Sequence, residues 1–257
     1  MRDGNEKYSR KEDPNLIYGI RAVIEAIDAG RQLNKVFVQT GLEGEIFKEL
    51  RDKMKSSDVV YQQVPIQKLN RLTQNNHQGV VAYASPIEYQ SLDAIITATF
   101  EKGEAPFIFI LDRVTDVRNM GSIARSAECH GVHAIVIPSR GNAGVTADAI
   151  KTSAGALNKI PVCREHHLKD AILLCQQSGI KVVACTEKTD QLLYDAGLGE
   201  PIAVIMGSEE DGVSKEYLKV SDDKVKIPME GTIASLNVAV SAGIVMYEIN
   251  RQRKSER

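Results

Sequence analysis

The sequence predicts an α/β fold in which a small α/β domain precedes a larger domain built on a parallel sheet. Short apolar runs alternate with segments of helical periodicity along the chain. Four runs from residue 107 onward are nearly continuous in apolar residues, which is typical of parallel strands covered on both faces. The length of 257 residues exceeds the roughly 100–200 residues of one typical domain, so we expect two unequal domains.

Composition indicates an ordinary soluble globular protein, with 43% apolar and 26% charged residues. The sequence has no apolar run of about 18 residues, so no membrane partner is expected. The charged first residues lack the apolar centre of a signal peptide. The four cysteines form no CxxC pair and are expected to be reduced thiols. We therefore expect a cytoplasmic protein.

The net charge of −2 argues against a protein that coats nucleic acid without specificity. It leaves open an RNA contact through a local basic face. Arg113, Arg118 and Arg125 form the basic cluster of most interest, because they lie inside an otherwise apolar, structured region. The basic clusters near the two chain ends are flanked by acids and are equally consistent with solvated tails.

The first part of the chain is predicted to be a polar, disordered tail (1–14) followed by a small domain (15–87). A helix is expected over 17–27, ending at Gly30, and then strands over 35–39, 59–64 and 79–84 alternate with helices over 46–54 and 66–72. The turn at 75–79 contains His77 and Gln78. It is equally well explained as a structural turn and as a loop that contacts a ligand.

Residues 88–105 are predicted to be a linker with one helical segment at 92–100, and residues 106–257 to form the second domain. Its predicted strands are 107–111, 134–138, 182–185, 202–206 and 225–227. Its predicted helices are 119–130, 147–156, 168–177, 215–220 and 238–253. In an open α/β sheet the site lies beyond the carboxyl ends of the strands, which directs attention to the loops that follow them.

The stretch 227–237 is the first candidate for a site. A proline ends the preceding strand, and Ser235 or Asn237 is expected to begin the final helix by accepting hydrogen bonds from its first N–H groups. Thr232, Ser235 and Asn237 then point towards one small volume. A strand-to-helix connection that forms no site would need only a turn and a helix cap, so the extra polar side chains mark this stretch as a candidate.

The sequence does not match the standard motifs of nucleotide-binding proteins or of hydrolases with a nucleophilic serine. The loop 207–214 nearly matches the phosphate-binding pattern GxxxxGK[ST], but Val213 occupies the lysine position and three carboxylates lie inside the loop. GxGxxG and GxSxG are absent. The pairs His130/His133 and Cys163/His166 lack a second matching motif, so no metal site is predicted. A glycine-bearing loop with acids suits a ligand that has hydroxyls and positive charge, and S-adenosylmethionine has both.

Three stretches of the second domain resemble, in order, the three motifs of the SpoU/TrmH RNA 2′-O-methyltransferases, a branch of the SPOUT superfamily. They are Asn119-Met120-Gly121 with Arg125-Ser126-Ala127, residues 204–212, and Ile227-Pro228-Met229 with residues 235–238. The small first domain is similar to the RNA-binding extension of the ribosomal-RNA members. The resemblance is closest to the bacterial 23S ribosomal RNA guanosine 2′-O-methyltransferases.

The resemblance implies a trefoil-knotted methyltransferase domain, which composition and periodicity cannot show. It also implies a homodimer in which the final helix packs, with Ala239, Ala242 and Gly243 permitting close approach. The cofactor, S-adenosylmethionine, would lie in the knot. Its expected contacts are Gly207, Ile227, Leu236 and Cys185, the last at a position where many relatives have threonine or another small residue.

The resemblance further implies transfer of the methyl group to a ribose 2′-hydroxyl, with Asn119, Arg125, Glu209, Ser235 and Asn237 as catalytic residues. Family proposals make the motif arginine the base, but arginine side chains stay protonated in proteins. Arg125 is therefore interpreted as a clamp on a phosphate, with Glu209 either pairing with it or accepting a proton.

RNA contacts are expected at Arg113, Arg118, His77 and Gln78. The expected substrate is a guanosine in 23S ribosomal RNA, with transfer RNA as the alternative. A non-catalytic RNA-binding dimer is the alternative from another class. The need for a 2′-hydroxyl excludes DNA.

Overall fold

The computed structural model describes residues 13–199, 201–233 and 235–255. The chain divides into two compact units, Met1–Pro86 and Ile87–Arg257. Most of the tail that the sequence predicts to be disordered, residues 1–14, lies outside the described residues.

The first unit is a four-stranded sheet with helices on both faces. Its elements are β1 Leu16–Tyr18, α1 Ile20–Asp28, β2 Leu33–Gln39, α2 Glu45–Ser56, β3 Tyr61–Val64, α3 Ile66–Leu72 and β4 Val80–Ala84. The strand order is β1-β4-β2-β3, with β4 antiparallel to both β1 and β2, and β3 parallel to β2.

Two apolar clusters cover the faces of this sheet. The larger one joins α1 and α2 to the strands through Val23, Leu50 and Val38, while Leu69 of α3 packs with Val81 on the other face. The predicted helix over 17–27 is wrong in its first residues, because Ile17 lies in β1 opposite Ala82 and not in the helix. Gly19, with φ of 93°, separates this strand from α1.

The second unit has a six-stranded parallel sheet. Its strands are β5 Phe107–Leu111, β6 Ala134–Pro138, β7 Val162–Glu165, β8 Lys181–Cys185, β9 Ile202–Met206 and β10 Asp223–Val225. Their order in the sheet is β10-β8-β9-β5-β6-β7. Its helices are α4 Leu92–Glu101, α5 Val117–Cys129, α6 Ala147–Thr152, α7 Leu168–Gln177, α8 Lys215–Val220 and α9 Val238–Ser255. The predicted α/β class with a parallel sheet is confirmed.

Three details differ from the sequence prediction. Strand β7 was not predicted, since Val162 and Cys163 are its only apolar residues. Strand β10 ends at Val225 and leaves Ile227 in the following loop. The predicted linker 88–105 contains α4, which buries Leu92 and Ile96 with strand residues of the second unit, so that helix folds as part of this unit.

Helices cover both faces of the large sheet and bury its strands. Phe107, Phe109 and Leu111 of β5 pack on the side of α5 and α9, whereas Ile108 and Ile110 pack on the side of α4 and α7. All five side chains are fully buried. This alternation explains why β5 is apolar throughout. The loops after β5, β8, β9 and β10 are left at one edge of the sheet, where the site is expected.

Gly121 allows α5 to pack closely against α6. A Cβ atom at this position would lie 2.7 Å from Thr152 Cβ and 2.9 Å from the Ala149 carbonyl oxygen. We expect Gly121→Ala to lower the free energy of unfolding by about 1–3 kcal/mol, the usual cost of overpacking. Chemical denaturation measures the change.

Gly197→Ala is the matched control for this substitution. Nothing lies within 4 Å of a Cβ atom at Gly197, and its backbone is not in the left-handed region. The control should unfold at the same denaturant concentration as the unmodified protein. A Gly121→Ala protein as stable as this control would contradict the packing argument.

Candidate active site

Two helices that begin at the carboxyl edge of the sheet position the central side chains of the site. The Asp116 carboxylate caps α5 by accepting hydrogen bonds from the backbone N–H groups of Arg118 (2.6 Å) and Asn119 (3.1 Å). Asn237 caps α9 in the same way, accepting from Ala239 (2.9 Å) and Val240 (3.3 Å). The prediction that Ser235 or Asn237 begins the final helix is therefore confirmed for Asn237.

We call Asn119, Glu209 and Asn237 the polar triad, because hydrogen bonds between them connect the three sequence motifs. Asn119 lies on α5, and the other two residues lie in loops. The amide nitrogens of Asn119 and Asn237 both donate to Glu209 Oε1, over 2.7 Å and 2.8 Å. Asn237 also donates to Asn119 Oδ1 over 3.1 Å. Glu209 Oε2 has no hydrogen bond with the described residues, so this oxygen is available to accept a proton or a hydrogen bond.

The other two predicted catalytic residues lie outside this network. Arg125 is exposed on α5 and forms no hydrogen bond or ion pair with the described residues, and Ser235 is exposed in the loop before α9. Of the two alternatives for Glu209, the structure does not have the pairing with Arg125 among the described residues, because Glu209 contacts the two asparagines. Arg125 is free to contact a ligand.

A cavity of about 500 Å³ lies beside the triad, at the ends of β8, β9 and β10. Its walls include all four residues predicted to bind the cofactor, Cys185, Gly207, Ile227 and Leu236, and also Ser235. Burial raises the pKa of the Cys185 thiol to about 12, so this side chain is a neutral wall residue and not a nucleophile.

Gly207 brings two backbone segments together at this cavity. A Cβ atom on Gly207 would lie 1.9 Å from the carbonyl carbon of Gly212 and 2.1 Å from the nitrogen of Val213. The loop 207–214 therefore folds back on its own first residue, and Ser208 and Gly212 close it with two backbone hydrogen bonds of 3.0 Å and 3.2 Å. Only glycine leaves room for this turn.

Arg113 anchors the same loop and does not extend freely towards solvent. Its guanidinium donates to Asp112 (3.0 Å), Asp211 (3.0 Å) and the Gly212 carbonyl oxygen (3.1 Å). The hydrogen bond to Asp112 is the main reason why the pKa of Arg113 is raised. All three guanidinium nitrogens of Arg113 are thus engaged within the site, and the RNA contact at Arg113 stays a prediction.

Asp112 is a structural residue of the site that the sequence reasoning missed. Its side chain is buried and accepts hydrogen bonds from the Ser214 backbone (2.7 Å) and hydroxyl (2.6 Å) as well as from Arg113. It therefore ties the end of β5 to the end of the loop 207–214. In the sequence, the feature that could have identified Asp112 is its position as a single carboxylate directly after a fully apolar strand.

The remaining predicted RNA contacts divide into buried and exposed residues. His77 is buried in the first unit, where its Nδ1 accepts from the Gly79 N–H (3.0 Å) and its Nε2 lies 2.8 Å from Asn70 Oδ1. This geometry favours the structural turn and corrects the predicted RNA contact at His77. Gln78 accepts a hydrogen bond from the Ile20 N–H and is exposed, as is Arg118 on α5.

The described part of the chain contains no group of three or more histidine, cysteine, aspartate or glutamate side chains placed to hold a metal ion. None of its helices combines the length and the apolar character that crossing a bilayer requires.

The second unit matches a model of the SpoU rRNA methylase family over residues 106–247. Residues 16–90 match a model described as RNA 2′-O ribose methyltransferase substrate binding. A putative TrmH family tRNA/rRNA methyltransferase of Bacillus subtilis is 35% identical over 239 residues, covering 93% of this chain and 96% of that protein. The chain belongs to the SpoU methylase family.

Two further similar proteins agree with this assignment. An uncharacterised tRNA/rRNA methyltransferase of Synechocystis is 36% identical over 249 residues, covering 96% of this chain and 65% of that longer protein. The crystal structure of the SpoU methyltransferase AviRb from Streptomyces viridochromogenes, in complex with AdoMet, has a TM-score of 0.58 and 25% identity. That match covers 93% of this chain and 90% of AviRb. This SpoU protein is therefore an RNA methyltransferase.

Proposed function

We propose that this SpoU protein transfers a methyl group from S-adenosylmethionine to the 2′-hydroxyl of a guanosine ribose in 23S ribosomal RNA. The observation that best supports this function is the polar triad, which connects all three motifs beside a cavity of cofactor size. Transfer RNA is the alternative substrate, since the similar proteins are named tRNA/rRNA methyltransferases. An intact, mutually bonded triad argues against a purely RNA-binding role.

The residues around the first cavity fit S-adenosylmethionine. The volume of about 500 Å³ lies in the range of about 300–1,000 Å³ that small-molecule sites occupy. Met206, Ile227 and Leu236 supply apolar walls for a ring, and Glu187 and Asp211 supply carboxylates for hydroxyls and positive charge. Backbone atoms of Gly207 and Ile227 would hold the ligand. A basic side chain of the kind that binds phosphate groups would not be needed.

The protein residues have three tasks in the proposed reaction. When bound, S-adenosylmethionine supplies an activated methyl group. Glu209 Oε2 accepts the proton of the 2′-hydroxyl, while the amides of Asn119 and Asn237 hold Glu209 Oε1 in place. Ser235 contacts the ribose, and Arg125 clamps a neighbouring phosphate with its planar guanidinium. Fixed positioning of the hydroxyl is the main contribution of this site.

The reaction is tested by incubating the protein with methyl-labelled S-adenosylmethionine and separated ribosomal and transfer RNA. We expect label in ribosomal RNA that survives alkali within a dinucleotide, because a methylated 2′-oxygen blocks cleavage of the adjacent bond. Label in transfer RNA alone would establish the alternative substrate. Absence of label from both pools, together with absence of cofactor binding, would refute the proposed enzyme activity.

Arg125 is expected to act through its shape as well as its charge. Arg125→Ala should lower kcat/KM for RNA by about 10–100-fold, mainly through KM, since a charge-assisted bidentate contact is lost. Arg125→Lys should recover only a small part of this loss, because lysine lacks the planar fork. Steady-state methylation at varied RNA concentration measures both. Near-full turnover by the lysine variant would rule out the bidentate clamp.

We further propose that α9 forms part of a homodimer interface. Val240, Ile244 and Tyr247 follow one another at helical spacing and are 52%, 37% and 64% exposed. An apolar stripe of this kind is typical of an interaction surface. Ala242, which the resemblance associated with close helix approach, is buried within the unit, whereas Ala239 and Gly243 are partly exposed.

Val240→Asp tests the interface. We expect the unmodified protein to have twice the chain mass of 28.2 kDa in sedimentation equilibrium, and the variant to shift towards the monomer. Leu173→Asp is the control, because Leu173 is a similarly exposed apolar residue on α7. A monomeric unmodified protein would contradict the proposal.

The trefoil knot remains a proposal drawn from the family resemblance. Stretching a single molecule by its ends would leave a contour shorter than an unknotted chain of this length.

We propose the cytoplasm as the compartment, consistent with the free thiols of the described cysteines.

A further inference from the structure

A second cavity of about 340 Å³ is also lined by the loop that contains Glu209. It shares residues 208–211 and Val238 with the first cavity, and Asn119 of the triad also lines it. Glu209 therefore borders two adjoining spaces. If the first space holds the methyl donor, the second is placed to hold a group attached to the methyl acceptor.

We propose that this second cavity holds the base of the target nucleotide and that Glu210 selects guanine. The inference rests on the proposed function, because it takes the first cavity as the cofactor site. It adds a base-recognition site and a specificity-determining residue to the chemistry of the triad. Target bases that leave their stack are commonly recognised through the hydrogen-bonding edge exposed by unpairing.

The charge around the cavity excludes a phosphate as its occupant. Four carboxylates line it, those of Asp116, Glu209, Glu210 and Asp211, and Arg113 is the single cation among the lining residues. The guanidinium of Arg113 is already engaged by Asp112, Asp211 and the Gly212 carbonyl. A phosphate would meet repulsion from the carboxylates. The cavity suits an uncharged group that donates hydrogen bonds.

Glu210 is the carboxylate of this group with no structural task. Asp116 caps α5, Asp211 pairs with Arg113, and Glu209 holds the two triad asparagines. Glu210 is exposed and forms no hydrogen bond or ion pair within the described part of the chain. Both of its oxygens are therefore available to an entering ligand.

Guanine is the base whose edge matches a free carboxylate best. Its N1–H and exocyclic N2–H groups point the same way and are spaced to donate to both oxygens of one carboxylate, as an arginine fork does. Adenine, cytosine and uracil each present a single donor group on the corresponding edge. A site built around a paired donor contact rejects analogues that leave one acceptor unpaired.

Inosine tests the contact between the exocyclic amino group and Glu210, because inosine is guanosine without that amino group. The experiment measures binding of guanosine and of inosine to the full chain by saturation-transfer NMR in the presence of S-adenosylhomocysteine. We expect guanosine to bind about tenfold more tightly than inosine, as the loss of a hydrogen bond to a charged group implies. In Glu210→Gln the preference should fall to about twofold or less, because one acceptor becomes a donor.

Glu216→Gln is the matched control, since Glu216 is an exposed glutamate in α8 that lines neither cavity. It should keep the preference for guanosine. Equal binding of guanosine and inosine by the unmodified protein would overturn the proposal, as would an unchanged preference in Glu210→Gln.

Digestion of the methyl-labelled RNA to nucleosides separates this inference from the proposed reaction. We expect the label in 2′-O-methylguanosine. Label in another 2′-O-methylated nucleoside would overturn guanine selection while ribose methylation stands. Absence of label from all RNA, with the guanosine preference intact, would refute the proposed reaction and leave a guanine-binding cavity.

Discussion

Replacing Glu209 by glutamine should lower kcat for RNA methylation by about 10²–10⁴-fold, the usual contribution of a positioned proton acceptor. The substitution keeps the shape of the triad. The glutamine carbonyl oxygen can still accept from the amides of Asn119 and Asn237, which now both donate to Glu209 Oε1. The free oxygen, Oε2, is replaced by an amino group that cannot accept a proton.

The design of this experiment separates proton transfer from folding and from cofactor binding. The melting temperature and the dissociation constant for S-adenosylmethionine should stay close to those of the unmodified protein, because the triad contacts survive. Glu101→Gln, an exposed glutamate at the end of α4, is the control and should keep full turnover. A Glu209→Gln protein with turnover near that of the control would rule out Glu209 as the proton acceptor.

The sequence predicted the class of the fold well but not its arrangement in space. Continuous apolar runs such as 107–111 identify strands buried on both faces, and the structure has those strands. The order of the strands depends on contacts between distant segments, which local periodicity does not encode. Strand β7 was missed for a local reason, since its four residues include Arg164 and Glu165 and give no apolar run.

Three residues of the candidate site were named from the sequence, whereas Asp112 and the hydrogen bonds between the site residues were not. Asn119, Glu209 and Asn237 were each singled out, and the structure brings them together. The predicted partner of Glu209, Arg125, is six residues after Asn119 and hence about 120° away around a helix of 3.6 residues per turn. Two side chains so far apart on α5 cannot both turn towards Glu209, and the structure places only Asn119 there.

The contacts of Arg113 within the site could not be predicted from the sequence for a related reason. In the sequence Arg113 belongs to a basic cluster with Arg118, which favoured an RNA contact. In the structure Asp211, 98 positions later, and the neighbouring Asp112 occupy its guanidinium. Arg113 also has a positive φ of 60°, a conformation uncommon for residues other than glycine. Its contacts with the loop 207–214 hold this strained backbone in place.

Gly207→Ala is expected to weaken cofactor binding most strongly among single substitutions outside the triad. The added Cβ would lie 1.9 Å, 2.1 Å and 2.3 Å from backbone atoms of Gly212 and Val213. Because these atoms are backbone, no change of side-chain rotamer relieves the overlap, and the loop must move. That movement would displace both the wall of the first cavity and Glu209, which lies in the same loop.

We expect the dissociation constant for S-adenosylmethionine to rise by at least about tenfold in Gly207→Ala, with a loss of about 1–3 kcal/mol in the free energy of unfolding from overpacking. Calorimetric titration and chemical denaturation measure the two effects. Gly231→Ala is the control in the third loop, since a Cβ there meets nothing within 4 Å. If Gly207→Ala bound the cofactor as tightly as the control, the close turn at Gly207 would have no role in forming the cavity. A large loss of affinity with a small loss of stability would instead locate the strain within the loop, where it disturbs the site more than the fold.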